Sequence, residues 1–309
     1  MNDFVLECRG LEKSYKRKPI LNAVSFSCKS AHIYALIGNK GAGKTTLMQI
    51  LTGLSFPDQG EFSLFGIPSE SPRLRIEQRR VGALVGSPIF FDFMSGFSNL
   101  EYFRRLKGVE DRSVSERLIS LFRLEDKKKI AVRHYTMAMK QKLAIACALL
   151  NNPDFLLLDE PFNGLELDDI LELCGILGEI NRKQNTAMLI ATPYPEQLYK
   201  YATDYLFMDQ GKILEELTHR ALADKCNSYL VIKTERPEPT AAALHEFLPK
   251  AEIELLSDTG EIWIHEYMGR SERISSELQF RNLPVLKIEQ VGTSVKEYLT
   301  QLTGGGRYV

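Results

Sequence analysis

The stretch Gly38-Asn39-Lys40-Gly41-Ala42-Gly43-Lys44-Thr45-Thr46 has the spacing G-x-x-x-x-G-K-[ST]. Glycines at these positions let a backbone wrap closely around a phosphate chain, with successive N–H groups aimed at its oxygens. Lys44 would bring a point charge to the outer phosphates, and Thr45 a hydroxyl to Mg²⁺. A second constellation is Phe155-Leu156-Leu157-Leu158-Asp159-Glu160, four apolar residues that end in two acids. Asp159 is placed to hold magnesium through water, and Glu160 to orient or deprotonate an attacking water. The chemistry implied is phosphoryl transfer from a magnesium nucleotide. Lys44 and Glu160 are its catalytic candidates, Thr45 and Asp159 its metal ligands, and the whole segment from Gly38 to Thr46 its phosphate cradle.

Such groups work only if the chain holds them. Ile33 to Ile37 is a short apolar run that predicts a buried strand ahead of Gly38, and Leu47 to Leu51 continues as a helix with Gly53 at its stop. Strand, glycine loop and helix is the setting this motif requires. Phe4 to Cys8 and Val24 to Cys28 alternate as half-buried strands, and a turn at Pro57 to Gly60 leads into a strand over Glu61 to Phe65. From about Pro88 to Asn152 the pattern is helical. One helix is predicted to open at Asn99 as its capping residue, and a second over Ser113 to Leu121 with Ser113 and Glu116 as a capping box. A third spans Lys140 to Leu150. The all-apolar strands Phe155 to Leu158 and Met188 to Ile190, separated by helices, imply parallel pairing with both faces covered.

The 309 residues allow one large domain or two smaller ones. Lys plus Arg (39) nearly balances Asp plus Glu (40), which argues against a general nucleic-acid binder. The run Lys127 to Lys129 reads as a solvated surface. Five cysteines, an odd number without C-x-x-C spacing, read as reduced packing residues rather than a disulfide frame or metal site. The opening Met-Asn-Asp-Phe lacks a basic and then apolar leader, and no run approaches the roughly 18 apolar residues that span a bilayer. Any membrane part must come from another chain.

Composition shifts near residue 220. The order thereafter is strand (Tyr229 to Thr234), helix (Pro239 to Leu248), strand (Ala251 to Leu256), turn (Asp258 to Gly260) and strand (Glu261 to His265). Helix (Ser271 to Phe280), strand (Val285 to Glu289) and helix (Val295 to Leu302) follow. This is a split βαβ, ferredoxin-like order. Trp263 and His265 fall on one face of a strand and read as an ordinary core or surface pair. The tail Gly304 to Gly306 is expected to fray.

With these motifs in order, residues 4 to 217 resemble an ATP-binding-cassette (ABC) ATPase, the motor of ABC transporters. "LTGLSFPDQGEFSLFG" (Leu51 to Gly66), "PFNGLE" (Pro161 to Glu166) and "ATDYLFMDQGKIL" (Ala202 to Leu214) carry the likeness. "VGALVGSP" (Val81 to Pro88), "YTMAMKQKLAIACALLNNPDFLLLDEP" (Tyr135 to Pro161) and "VGTSVKEYLTQLTGG" (Val291 to Gly305) most resemble the bacitracin-resistance and lantibiotic-immunity type. The resemblance implies an α/β fold: a parallel-sheet core, an antiparallel β subdomain and a helical subdomain near 88–152. It also implies a nucleotide-binding domain over residues 1–220, with 221–309 as an accessory domain. Tyr15 stands where the family stacks an aromatic on adenine. Thr136 and Ala138 stand in the loop that closes on the phosphates of a partner subunit.

The departures from the family pattern are specific. Gly86 replaces a glutamine that touches Mg²⁺. Tyr135-Thr136-Met137-Ala138-Met139 replaces Leu-Ser-Gly-Gly-Gln; Met137 and Met139 read as hydrophobic packing. Glu166 replaces an aspartate, and Pro193 a histidine that senses the γ-phosphate. Losing one such donor costs on the order of 3–4 kcal/mol in a transition state. ATP and Mg²⁺ are therefore expected to bind, while turnover can be slow. The resemblance implies a subunit peripheral on the cytoplasmic face of a membrane, working with a permease and a second nucleotide-binding subunit, as homodimer or heterodimer. The aromatic stretch Pro88 to Phe97 lies where the family docks its permease. Export of, or immunity to, peptides or amphiphilic toxins is the leading expectation; a clamp that binds ATP and hardly hydrolyses it is the alternative. A soluble role in translation or DNA repair fits less well, because there is one cassette and no long heptad region.

Overall fold

A computed structural model describes residues 3–226, 229–249, 251–256, 259–264 and 271–303. Met1, Asp258, His265 and the glycines 304–306, about which the sequence carried expectations, lie outside them. The chain divides into two units between His219 and Arg220, the second running to Gln301.

Strands β1 (Phe4–Tyr15) and β2 (Lys18–Lys29) form a long antiparallel hairpin that pairs Tyr15 with Lys18. Its two turn residues, Lys16 and Arg17, both have positive φ (49° and 67°), the conformation a twisted two-residue hairpin demands. Both strands outrun the short segments the alternation predicts, and the sequence carried no hairpin signal because this turn lacks the usual Asn-Gly chemistry. Helix α1 (Lys44–Leu51) follows the glycine loop. Next, β4 (Gln59–Leu64) and β5 (Ile67–Pro68) complete a sheet of order β2-β1-β4-β5, with β3 (Ile33–Ile37) belonging to a second one.

That second sheet has the order β10-β9-β3-β8-β7-β6. The short helix α2 (Leu74–Glu77) precedes β6 (Val81–Leu84); β7 is Phe155–Asp159, β8 Ala187–Thr192, β9 Asp204–Asp209 and β10 Lys212–Thr218. Strands β6, β7, β8, β3 and β9 are parallel, and only β10 runs against its neighbour. Every residue of β3, β7 and β8 is buried, as parallel strands covered on both faces require. One apolar core joins Leu6 and Val24 of the hairpin, Leu47 and Met48 of α1, and Leu36, Leu157 and Leu189 of the parallel sheet. Thus α1, with the loop at its head, is clamped between two sheets.

Between β6 and β7 come α3 (Gly96–Leu106), α4 (Ser113–Leu121) and α5 (Met137–Ala148). Two expected caps are corrected. α3 opens one turn before Asn99, capped by Ser95, whose side chain accepts from the Ser98 amide. Asn99 is instead buried, bonded to the backbone of Phe91 on both sides and to Ser95 O. No Ser113–Glu116 box forms at α4: Asp111 accepts from the Ser113 amide (2.9 Å), and Glu116 pairs with Lys128 (2.9 Å). The 18-residue helix α6 (Leu167–Gln184) joins β7 to β8.

In the second unit, α7 (His219–Lys225) starts at the boundary. Then come β11 (Tyr229–Thr234), α8 (Pro237–Phe247), β12 (Ile253–Leu256), β13 (Glu261–Ile264), α9 (Ser271–Phe280), β14 (Val285–Val291) and α10 (Val295–Leu302). The antiparallel order β12-β13-β11-β14 is the split βαβ arrangement. Leu230, Ile232, Leu244, Ile262 and Leu278 are among its core. Trp263 stacks on Tyr229 (4.1 Å between centroids) and donates to Glu261 (3.3 Å).

Candidate functional site

The loop Gly38 to Gly43 leaves the carboxyl end of β3 and turns into α1. Its glycines are required locally. A Cβ on Gly38 would stand 2.3 Å from Met208 O. Gly43 has φ +108°, and a Cβ there would press on Ile20 O and Leu21 of the hairpin. Ala42 is buried, and its carbonyl accepts from the Gly211 amide (2.9 Å). Asn39 O accepts from the Ala42 amide (3.1 Å), while Lys40, Gly41 and Thr45 are exposed and Thr46 is half-buried. Lys44 is buried, and its Nζ donates to Gly38 O (2.7 Å) and Asn39 O (3.2 Å). Burial lowers the Lys44 pKa from its ordinary value, a fall that Glu160 and Asp159 partly offset.

Strand register brings the acids to this lysine. β8 lies between β3 and β7, pairing Thr192 with Ile37 and Ala191 with Asp159, so the ends of all three strands converge. Glu160 Oε1 lies 3.7 Å from Lys44 Nζ. Asp159 is buried, and its Oδ1 has no hydrogen-bond partner among the described residues. Burial pushes the Asp159 carboxyl up and the Glu160 charge adds to this; the Thr45 hydroxyl, Lys44 and the Gly86 amide pull it back. A buried, unsatisfied carboxylate oxygen beside an exposed threonine hydroxyl is a donor set that fits Mg²⁺, which takes few protein ligands and fills its shell with water and phosphate. The sequence offered no signal for the Gly86 amide, because a backbone donor leaves no mark on residue type. Gly86 itself has φ +76°.

Other candidate residues are placed as follows. Tyr15 ends β1 on the hairpin that abuts Gly43, with 45% of the residue exposed. Thr136 caps α5, its side chain accepting from the Met139 amide (3.2 Å), and Ala138 is buried within the first turn. Among the described residues no hydrogen bond or ion pair joins Thr136 or Ala138 to the glycine loop. Met137 corrects an expectation: it is 52% exposed rather than packed away, and reaches toward Gly164 after β7. Met139 is half-buried. Pro193 leaves β8 at the site's edge. Thr192 Oγ1 donates to Gln197 Oε1 (2.7 Å) and accepts from the Tyr194 amide (3.1 Å), which fixes that turn.

The stretch ahead of α3 is an exposed aromatic surface. Phe91 meets Tyr102 edge-on (4.9 Å) and Phe93 (6.1 Å), and Phe90 meets Phe103 (6.4 Å). Ile89 and Phe93 are 85% and 74% exposed. Among the described residues no helix is long and apolar enough to cross a membrane.

The family model "ABC transporter" matches residues 21–163. The chain is 26% identical to the bacitracin transport ATP-binding protein BcrA of Enterococcus faecalis over 98% of both chains. It is 32% identical to the lantibiotic transport ATP-binding protein SrtF of Streptococcus pyogenes, over 69% of this chain and 90% of that one. A solved dimer of the ATP-binding cassette MJ0796, bound to ADP and Pi, shares the fold: TM-score 0.63 and 20% identity over 70% of this chain and 99% of that one. The chain belongs to the ABC transporter family, as one of its ATP-binding domains.

Proposed function

We propose that this chain is the ATP-binding and ATP-hydrolysing subunit of a membrane transporter for peptides or amphiphilic toxins, acting in export or immunity. One observation carries the nucleotide part. Lys44, Glu160 and the unpartnered Oδ1 of Asp159 meet where β3, β7 and β8 end. The names of BcrA and SrtF support the substrate class. In this reading residues 1–220 form the nucleotide domain and 221–309 an accessory domain. The chain sits on the cytoplasmic face of the membrane, held there by a permease.

Lys44 exchanges its carbonyl partners Gly38 and Asn39 for phosphate oxygens, while the amides from Gly38 to Thr46 line the phosphate chain. Thr45 and Asp159 would hold Mg²⁺, which would neutralise charge on the outer phosphates. Glu160 takes a proton from the attacking water. Thr136 and the amide of Ala138 approach the phosphates of a second nucleotide-binding subunit, and Tyr15 stacks on adenine. The surface of Ile89, Phe91, Phe93 and Tyr102 receives the permease. Phe93→Asp should release the chain from that permease in pull-down, with ATP affinity unchanged.

A second reading, a clamp with little hydrolysis, draws on Gly86 and Pro193, which supply no side-chain donor. Both readings require binding through Lys44. Calorimetry should show Mg-ATP binding to the wild type, and Lys44→Ala should weaken it at least about a hundredfold, the effect of one lost charge-assisted contact with phosphate. Unchanged affinity in that variant would sink both.

A further inference from the structure

We propose that Lys13, clamped by Asp58, is a positioning residue for the nucleotide base: it occupies one face of the Tyr15 ring and commits the other face to a purine. The proposal rests on the reading of Tyr15 as the base platform. Lys13 Nζ lies 5.5 Å from the centre of that ring, inside the range of a cation–π contact. The Lys13 side chain is only 14% exposed. Its partner is Asp58 Oδ1, at 2.8 Å.

Asp58 does more than neutralise it. Its Oδ2 accepts from the Ser14 amide (2.7 Å), and its own amide donates to Glu12 O (2.8 Å). The turn between α1 and β4 is thus stitched to the end of β1 at three consecutive residues. Lys13, then the Ser14 amide, hold the Asp58 carboxyl below its ordinary value. At its far end the Tyr15 hydroxyl lies 3.4 Å from Ser55 Oγ. The ring is therefore fixed at its tip and backed on one face, yet 45% of the residue remains open to solvent. A flat aromatic held in this way has one free face, and a purine is the part of ATP that is flat. The ammonium is committed to Asp58 beside the ring, so the base and not the phosphates should feel its loss.

The test is equilibrium binding of ATP and of inorganic tripolyphosphate, both with Mg²⁺, to the full chain. Lys13→Met and Asp58→Asn should each weaken ATP about fivefold, the size of one partly desolvated cation–π contact, and leave tripolyphosphate unchanged. Lys13→Arg, which keeps a cation, should bind ATP as the wild type does. Wild-type ATP affinity in Lys13→Met, with Tyr15→Ala impaired, would overturn the proposal alone. Equal losses for ATP and tripolyphosphate in Lys13→Met would also overturn it, since the lysine would then act on the phosphates or the fold. Wild-type ATP affinity in Tyr15→Ala would overturn the base-platform reading and this proposal with it.

Discussion

Glu160 adopts a left-handed backbone (φ 47°), a conformation that costs a non-glycine residue on the order of 1 kcal/mol or more. Its amide donates to Ala191 O (2.9 Å), so the neighbouring strand holds the strained residue in place. The result is a carboxylate turned toward Lys44 instead of running on with the sheet. Just past the end of β8, two residues beyond Ala191, Pro193 stands where the family resemblance expects a histidine, and it has no N–H or side-chain donor. Restoring a donor there should help the transition state without touching the phosphate cradle. Pro193→His should keep ATP affinity and raise turnover on the order of tenfold, a fraction of what one well-placed donor supplies. A large loss of affinity would show that residue 193 lies elsewhere in the site. At this scale contiguous side chains in the sequence pointed to the glycine loop, Lys44, Asp159 and Glu160, and the fold brings these residues together. The sequence was silent on the Gly86 amide and wrong about Met137, because backbone donors and exposure at a helix start depend on the surrounding fold.

Among the elements, α3 and α4 are joined through one carboxylate. Glu101 accepts from Arg104 (2.8 and 3.0 Å) and from Ser115 Oγ (2.5 Å); Arg104 also donates to Val109 O. Arg104, then Ser115, hold the Glu101 carboxyl below its ordinary value of 4.5. A depressed carboxylate stabilises the fold fully above that value, and the contribution fades as pH falls through the lower, folded-state pKa. Glu101→Gln should therefore lower stability by roughly 1–3 kcal/mol at pH 7. The gap to wild type in denaturant melts should shrink below about pH 4.5; a gap that stays constant with pH would refute the linkage. A second tie runs from α5 to α6, where Lys142 pairs with Glu172 (2.5 Å). Helix α6 was readable in principle. Ile170, Leu173, Leu177 and Ile180 follow helical spacing between an acidic first turn and a basic last one, ending at Asn185 with φ 54°. The caps at Asn99 and Ser113 failed for a common reason. Each residue type suits a helix start, but Asn99 satisfies a buried loop and Asp111 takes the Ser113 amide first.

At the scale of the whole chain, positive and negative charge nearly balance, and among the described residues no helix is long and apolar enough to cross a membrane. Burial pushes the Cys147 and Cys174 thiols up to about 12, in keeping with packing roles. The order of strands and helices was legible because hydrophobic period and turn chemistry repeat along the chain. The pairing of the long hairpin with the glycine loop was not, since residues far apart in sequence create it. On the proposed function, the chain both holds and splits ATP despite Gly86 and Pro193. The most direct test is steady-state ATP turnover by the chain purified with its permease, beside Glu160→Gln in the same complex. The wild-type complex should turn over ATP measurably and the variant should not, with ATP still bound by both. Equal inactivity of the two, with ATP bound, would contradict that function and leave a nucleotide-operated clamp.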